Sequence, residues 1–111
     1  MLDKKTVRQI ALNYANEVRK KLAPKAVILY GSYARGDSAG DSDIDIMVLA
    51  DVSADELEKM EKMLWDIGWK TGSEHDIMVS VFLKNTSHFY EWIDTLAFYR
   101  NINEDGVVLY G

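Results

Sequence analysis

From Val7 to Leu22 apolar residues recur at every third or fourth position: Val7, Ile10, Ala11, Tyr14, Ala15, Val18 and Leu22. That period predicts one helix with a single buried stripe, opened by Asp3 as N-cap and closed before Pro24. The pattern then changes. Ala26 to Tyr30 (AVILY) is a continuous apolar run ended by Gly31, the mark of a buried central strand. SYARG predicts a short helix opening at Ser32, and DSAGDS, 37–42, is a turn by composition. In DIDIMVLA, 43–50, Ile44, Ile46 and Val48 alternate with Asp43, Asp45 and Met47, as in a strand with one packed face.

The second half repeats these signals. SADELEKMEKMLWDIG begins with a capping box, Ser53 and Glu56, and is expected to stop at Gly68, with Leu57, Met60, Leu64 and Ile67 inward. HDIMVSVFL alternates again, setting Ile77, Val79, Val81 and Leu83 opposite Asp76, Met78, Ser80 and Phe82. A last helix over roughly 87–99 turns Phe89, Trp92, Ile93 and Leu96 inward, and NEDG leads into a short strand, Val107 to Tyr110. The order predicts an α/β (α+β) domain: a small mixed sheet with helices packed on one face. If the two acidic strands are neighbours, Asp43, Asp45 and Asp76 converge at one end of the exposed face.

Composition narrows what such a site does. A chain of 111 residues suits one domain, 1–111, and leaves little room for an enclosed pocket, so an open cleft is expected. With 18 acidic against 13 basic residues the formal charge is -5, which disfavours a nucleic-acid groove but not a nucleotide held through a metal. Cysteine is absent, which excludes disulfides and thiolate metal sites. Neither a signal peptide nor a membrane span is visible, and a cytoplasmic location is expected.

Three phosphate- or metal-binding patterns fail on the central stretch. Gly31 to Gly36 has the glycine spacing of a Walker A loop, but Asp37 stands where lysine must meet the phosphates. A calcium loop from Asp41 needs glycine where Ile46 stands and glutamate where Val52 stands. The glycine triplet of a dinucleotide fingerprint is missing. What remains is Gly31, which lets the backbone approach a ligand, and Ser32 at a helix N-terminus, where N–H groups favour phosphate. Asp43 and Asp45 follow, two apart on a strand and so on one face. At about 5 Å, and an effective dielectric near 20, their carboxylates repel by roughly 3 kcal/mol, a term that a divalent cation reverses. Taken alone, DID is more often a solvent-facing strand than a metal site.

The whole segment GSYARGDSAGDSDIDIMV resembles the signature of the minimal nucleotidyltransferases (MNT) of the DNA-polymerase-beta-like superfamily, antitoxin type. Gly31, Ser32, Ala34, Arg35, Gly36, Ser42, Asp43 and Asp45 fill its fixed places. The resemblance implies that Gly31 and Ser32 hold the triphosphate of ATP, with Arg35 and Ser42 in supporting roles. It implies that Asp43 and Asp45 ligate Mg²⁺, and that a third carboxylate, Asp76, completes the metal site and helps deprotonate the acceptor; Glu74 serves instead if the strand register differs. It further implies transfer of AMP from ATP to a hydroxyl, releasing pyrophosphate. The partner it implies is a HEPN-domain toxin, modified on a tyrosine. A non-catalytic module that neutralises its partner by occlusion, and transfer to a small molecule, remain as alternatives. His75 and His88 read as surface residues, and Trp65, Trp69 and Trp92 as core or interface. The aromatic C-terminal segment reads as a surface for a second copy or a partner.

Overall fold

The computed structural model describes residues 3–38 and 42–111. Its elements run α1 (Lys4–Lys21), β1 (Ala26–Tyr30), α2 (Ser32–Arg35), β2 (Ile44–Ala50), α3 (Ala54–Ser73), β3 (Val79–Asn85), α4 (Thr86–Trp92), α5 (Ala97–Asp105) and β4 (Val107–Tyr110). The middle of the expected 37–42 turn, 39–41, lies outside the described residues. The strands form one mixed sheet in the order β3-β2-β1-β4. β1 pairs antiparallel with β2 and β4, while β2 and β3 run parallel, joined by α3 as a crossover helix.

One face of the sheet is covered as expected. Val7, Ile10, Ala11, Tyr14 and Val18 of α1 pack with Leu64 of α3 on Val27, Leu29, Ile44, Ile46, Val48, Val79, Val81 and Leu83. The two helices are tied by a buried hydrogen bond that the Tyr14 hydroxyl donates to the Leu64 carbonyl, 3.0 Å. Asp3 caps α1, its carboxylate accepting from the Thr6 amide at 2.7 Å. At α3 the Ser53 hydroxyl donates instead to the Glu56 carboxylate, 2.9 Å, so the expected capping box closes side chain to side chain.

The other face is not left open, which corrects the expectation of helices on one side only. Ile28, Tyr30, Met47 and Leu49, the alternate residues of β1 and β2, are buried against Phe89 of α4 and Tyr99 and Ile102 of α5. The helix expected over 87–99 is two helices with a break after Trp92. Phe89 is buried and Ile93 half-buried, but Trp92 and Leu96 are exposed, because the break re-aims the chain so that Tyr99 and Ile102 become the inward residues.

Helix α3 also departs from its expected end. It passes through Gly68 and continues to Ser73. Both Gly68 and Gly72 are buried against β3, and the reason is space. A Cβ on Gly72 would overlap the Ile77 carbonyl oxygen, and one on Gly68 would lie 3.3 Å from the Val79 carbonyl oxygen. The glycines let helix and strand backbones approach, at a propensity loss of about 1 kcal/mol each. Gly72→Ala should therefore destabilise the protein by about 1–2 kcal/mol, overpacking of roughly 1–3 kcal/mol outweighing the helix gain. Gly68→Ala should stay within about 1 kcal/mol of the parent in denaturant unfolding, since its neighbour need shift only slightly.

Candidate active site

The site begins where β1 ends. Gly31 follows Tyr30 with φ 77° and ψ -155°, a conformation that strains any L side chain. It turns the chain sharply into α2, and its carbonyl accepts from the amides of Ala34 and Arg35 at 3.1 and 3.0 Å. Gly36, left-handed at φ 87°, closes the turn. The absent side chain at Gly31 also leaves room for a neighbour: a Cβ there would overlap Oδ2 of Asp45. The phosphate-turn candidate and the second carboxylate are thus in direct van der Waals contact.

Strand β2 positions the carboxylates. Its period of two puts Asp45 on the same face as Met47 and Leu49, with Asp43 one step beyond the strand's first residue. Asp45 lies opposite Tyr30 of β1 and level with Ser80 of β3. Ile44 donates to the Met78 carbonyl at 2.9 Å, which fixes Met78 beside the end that carries Asp43. Asp43 is exposed and Asp45 half-buried.

Electrostatics follow from that placement. The Asp45 carboxyl is pushed above its ordinary value, first by burial and then by the negative charge of Asp43, with the Arg35 guanidinium pulling partly the other way. Burial and the Asp45 charge likewise push the Tyr30 phenol upward. Arg35 pairs with Asp37 at 3.2 Å, and among the described residues neither Asp43 nor Asp45 has an ion-pair partner. Gly31, Ser32, Arg35, Asp43 and Asp45 are therefore gathered around one end of β1 and β2, and half-buried Ser42 immediately precedes the pair.

Asp76 is not gathered with them. Among the described residues no three His, Cys, Asp or Glu side chains converge closely enough to hold one metal ion. β3 starts at Val79, so Asp76 is not on the strand but in the turn that ends α3, at φ 52°. There the Ile77 amide donates to the Gly72 carbonyl at 3.1 Å and the Asp76 amide to the Ser73 carbonyl at 3.4 Å. These are the two bonds of a Schellman stop, with aspartate in the left-handed place usually taken by glycine. The sequence signal was available: Asp tolerates that conformation, and an apolar residue, Ile77, follows it. Glu74, the alternative, is exposed and lines a separate groove between α1 and α3 with His75. Level with Asp45 on β3 stands a hydroxyl, Ser80, which the alternation of HDIMVSVFL had placed on the polar face without a role.

A glycine turn against paired carboxylates, at one end of a mixed sheet, defines a class of proteins that handle a polyphosphate beside acidic ligands. Comparison with known proteins names it: the chain belongs to the nucleotidyltransferase domain family, whose pattern matches residues 13–109, and with that family it is a transferase. It is 30% identical over 110 residues, 99% of this chain and 100% of the other, to MJ0604 of Methanocaldococcus jannaschii, named as a candidate protein adenylyltransferase. The fold matches a crystallised toxin–antitoxin complex with AMP-PNP at TM-score 0.56, with 24% identity, over 90% of this chain and 73% of that one. A variant of the MntA–HpeT toxin–antitoxin complex matches at TM-score 0.53, with 23% identity, over 90% and 73%.

The residues present fit a divalent cation. Asp43 and Asp45 are hard oxygen donors, the charge of Asp43 adding to the burial that raises the proton affinity of Asp45, and among the described residues neither has a basic ion-pair partner; this is the donor chemistry that Mg²⁺ prefers.

Two measurements probe this arrangement. A carboxyl whose folded pKa lies above its unfolded one makes the fold less stable once pH exceeds the unfolded value, here near 3.8. Asp45→Asn should therefore raise the unfolding temperature at pH 7 without metal, and the gain should vanish below that value. Asp76→Gly should be neutral or stabilise by up to about 1 kcal/mol, because glycine adopts the left-handed stop without strain. A marked loss of stability would refute the Schellman role.

Proposed function

We propose that this nucleotidyltransferase moves AMP from ATP to a tyrosine hydroxyl on a partner protein, a HEPN-domain toxin that it neutralises. The observation that carries the reading is the contact between the Gly31 turn and Asp45, which sets polyphosphate and acidic ligands side by side. Gly31 and Ser32 would receive the β- and γ-phosphates, with backbone amides and one hydroxyl as donors. Asp43 and Asp45 would hold Mg²⁺, which when bound neutralises charge between carboxylates and phosphates and steadies the departing oxygens. Arg35, whose charge already acts on Asp45, would keep the turn and the carboxylates in register. The phenolic oxygen forms the new bond to the α-phosphorus, the bond to the bridging oxygen breaks, pyrophosphate leaves, and the phenolic proton passes to water. Two facts support a protein acceptor and an antitoxin role: the relative MJ0604 is named for protein adenylylation, and two fold neighbours are toxin–antitoxin complexes. Among the described residues no helix is long and apolar enough to cross a membrane.

The placement of Asp76 outside the carboxylate pair favours one rival, neutralisation by occlusion. Both are tested by incubating the protein with α-labelled ATP, Mg²⁺ and the product of the neighbouring gene. Label should appear on the partner, and Asp43→Asn should lower transfer by roughly a thousandfold, the several kcal/mol that such a charge clamp supplies. Partner binding should survive that substitution. Neutralisation without label, unchanged in Asp43→Asn, would establish occlusion instead.

A further inference from the structure

The order of the strands gives the site a direction. β2, which carries the carboxylates, lies between β1, which ends in the Gly31 turn, and β3, which forms the sheet's edge. In an in-line displacement the attacking oxygen and the leaving group lie on opposite sides of the reacting phosphorus. With pyrophosphate leaving toward the Gly31–Ser32 turn on the β1 side, the acceptor must arrive from the β3 side.

The residues of β3 and its surroundings on that side are distinctive. Those that share the face of Asp45 are Ser80, level with it, and Phe82, level with Met47. Met78 precedes them beside the Asp43 end. Phe98, at the start of α5, lies over this face, its ring edge-on to both Tyr30 (5.7 Å) and Phe82 (6.0 Å). Tyr30 is itself the cross-strand partner of Asp45, so the aromatic row abuts the carboxylate. Yet it is not finished as a core: Phe82 is 47% exposed and Phe98 45%. Aromatic rings gain about 0.5–1.5 kcal/mol from edge-to-face partners beyond their burial, so exposed edges next to a reaction centre favour another ring.

We propose that Phe82 and Phe98 are the acceptor subsite and that they select a tyrosine side chain, seating its ring so that the phenolic oxygen arrives beside Ser80 and Asp45. This rests on the transfer reading above and deepens it. Ser80 supports the choice: a hydroxyl donates and accepts hydrogen bonds but is no base at neutral pH. A phenol, with pKa near 10, releases its proton to water far more readily than an alkyl alcohol does. An aromatic wall and a hydroxyl level with Asp45 thus favour the same acceptor.

The test uses the full chain, labelled ATP and two small acceptors, N-acetyl-tyrosinamide and N-acetyl-serinamide. The parent protein should label the tyrosine compound in preference to the serine one. Phe98→Ala and the volume-conserving Phe82→Leu should each raise the KM for the tyrosine compound by about three- to tenfold, the size of one lost aromatic contact. The KM for ATP should stay within twofold, which also shows that each variant is folded. Equal labelling of serine and tyrosine, or variants with parental acceptor KM, would overturn the subsite while leaving the transfer reading intact. A raised KM for ATP in both variants would assign the wall to the nucleobase and overturn the proposal. Absence of label from the parent protein with either compound and with the neighbouring gene product would sink the transfer reading and the subsite with it.

Discussion

The period of a β-strand forces Asp45 onto the same sheet face as Met47 and Leu49, and the rest of the site is arranged around that constraint. One face must change within a single strand from solvated carboxylate to closed core. The change is made by α4 and α5, whose Phe89, Tyr99 and Ile102 cover Met47 and Leu49 and stop short of Asp45. Had the helices been confined to the α1–α3 side, this face would have exposed Ile28, Met47 and Leu49 to water. Covering those residues, and leaving Asp45 half-covered, is what keeps the carboxylate end of the sheet accessible.

The same placement creates an electrostatic tension. Asp45 is pressed between burial, the charge of Asp43 and the backbone of Gly31, and each of the first two favours its neutral form. A carboxylate held so lowers the stability of the fold at neutral pH. Gly31 is what permits it. Any side chain there would collide with the carboxylate and would also meet the steric penalty of φ 77°. Two different physical reasons therefore demand glycine at one position, which is why Gly-Ser at a strand end carried so much information beside Asp43 and Asp45.

Legibility in the sequence followed from whether a signal was local. α1, β1, the turn at Gly31 and β2 were readable because helical period, an unbroken apolar run, a glycine and strict alternation each speak for themselves. The end of α3 was not. Gly68 looked like a stop, but its role is to admit the backbone of β3, a tertiary reason invisible along the chain. The true stop uses Asp76, a minority choice for the left-handed place, which sets it in the turn before β3 and not on the strand as its alternation suggested. The break after Trp92 carries neither proline nor glycine, so one helical stripe was read where two helices pack different residues. Around the carboxylate pair, the contiguous motif residues could be read along the chain, whereas Ser80 and Phe82 are brought level with Asp45 and Met47 by strand register, which the sequence does not state.

Sidedness follows from the topology. A βαβ crossover through α3 makes β3 parallel to β2 and leaves it at the sheet's edge, while β4 occupies the far edge beyond β1. The Gly31 turn thus lies inward, flanked by α2 and β1, and the opposite approach to Asp45 is across an edge strand with half-exposed side chains. Under the proposed transfer, a protein acceptor would bring its own walls and would need an open edge to reach the carboxylates. The exposed β3 side in this sense suits the proposed modification of a folded partner, whose own surface would close around the acceptor.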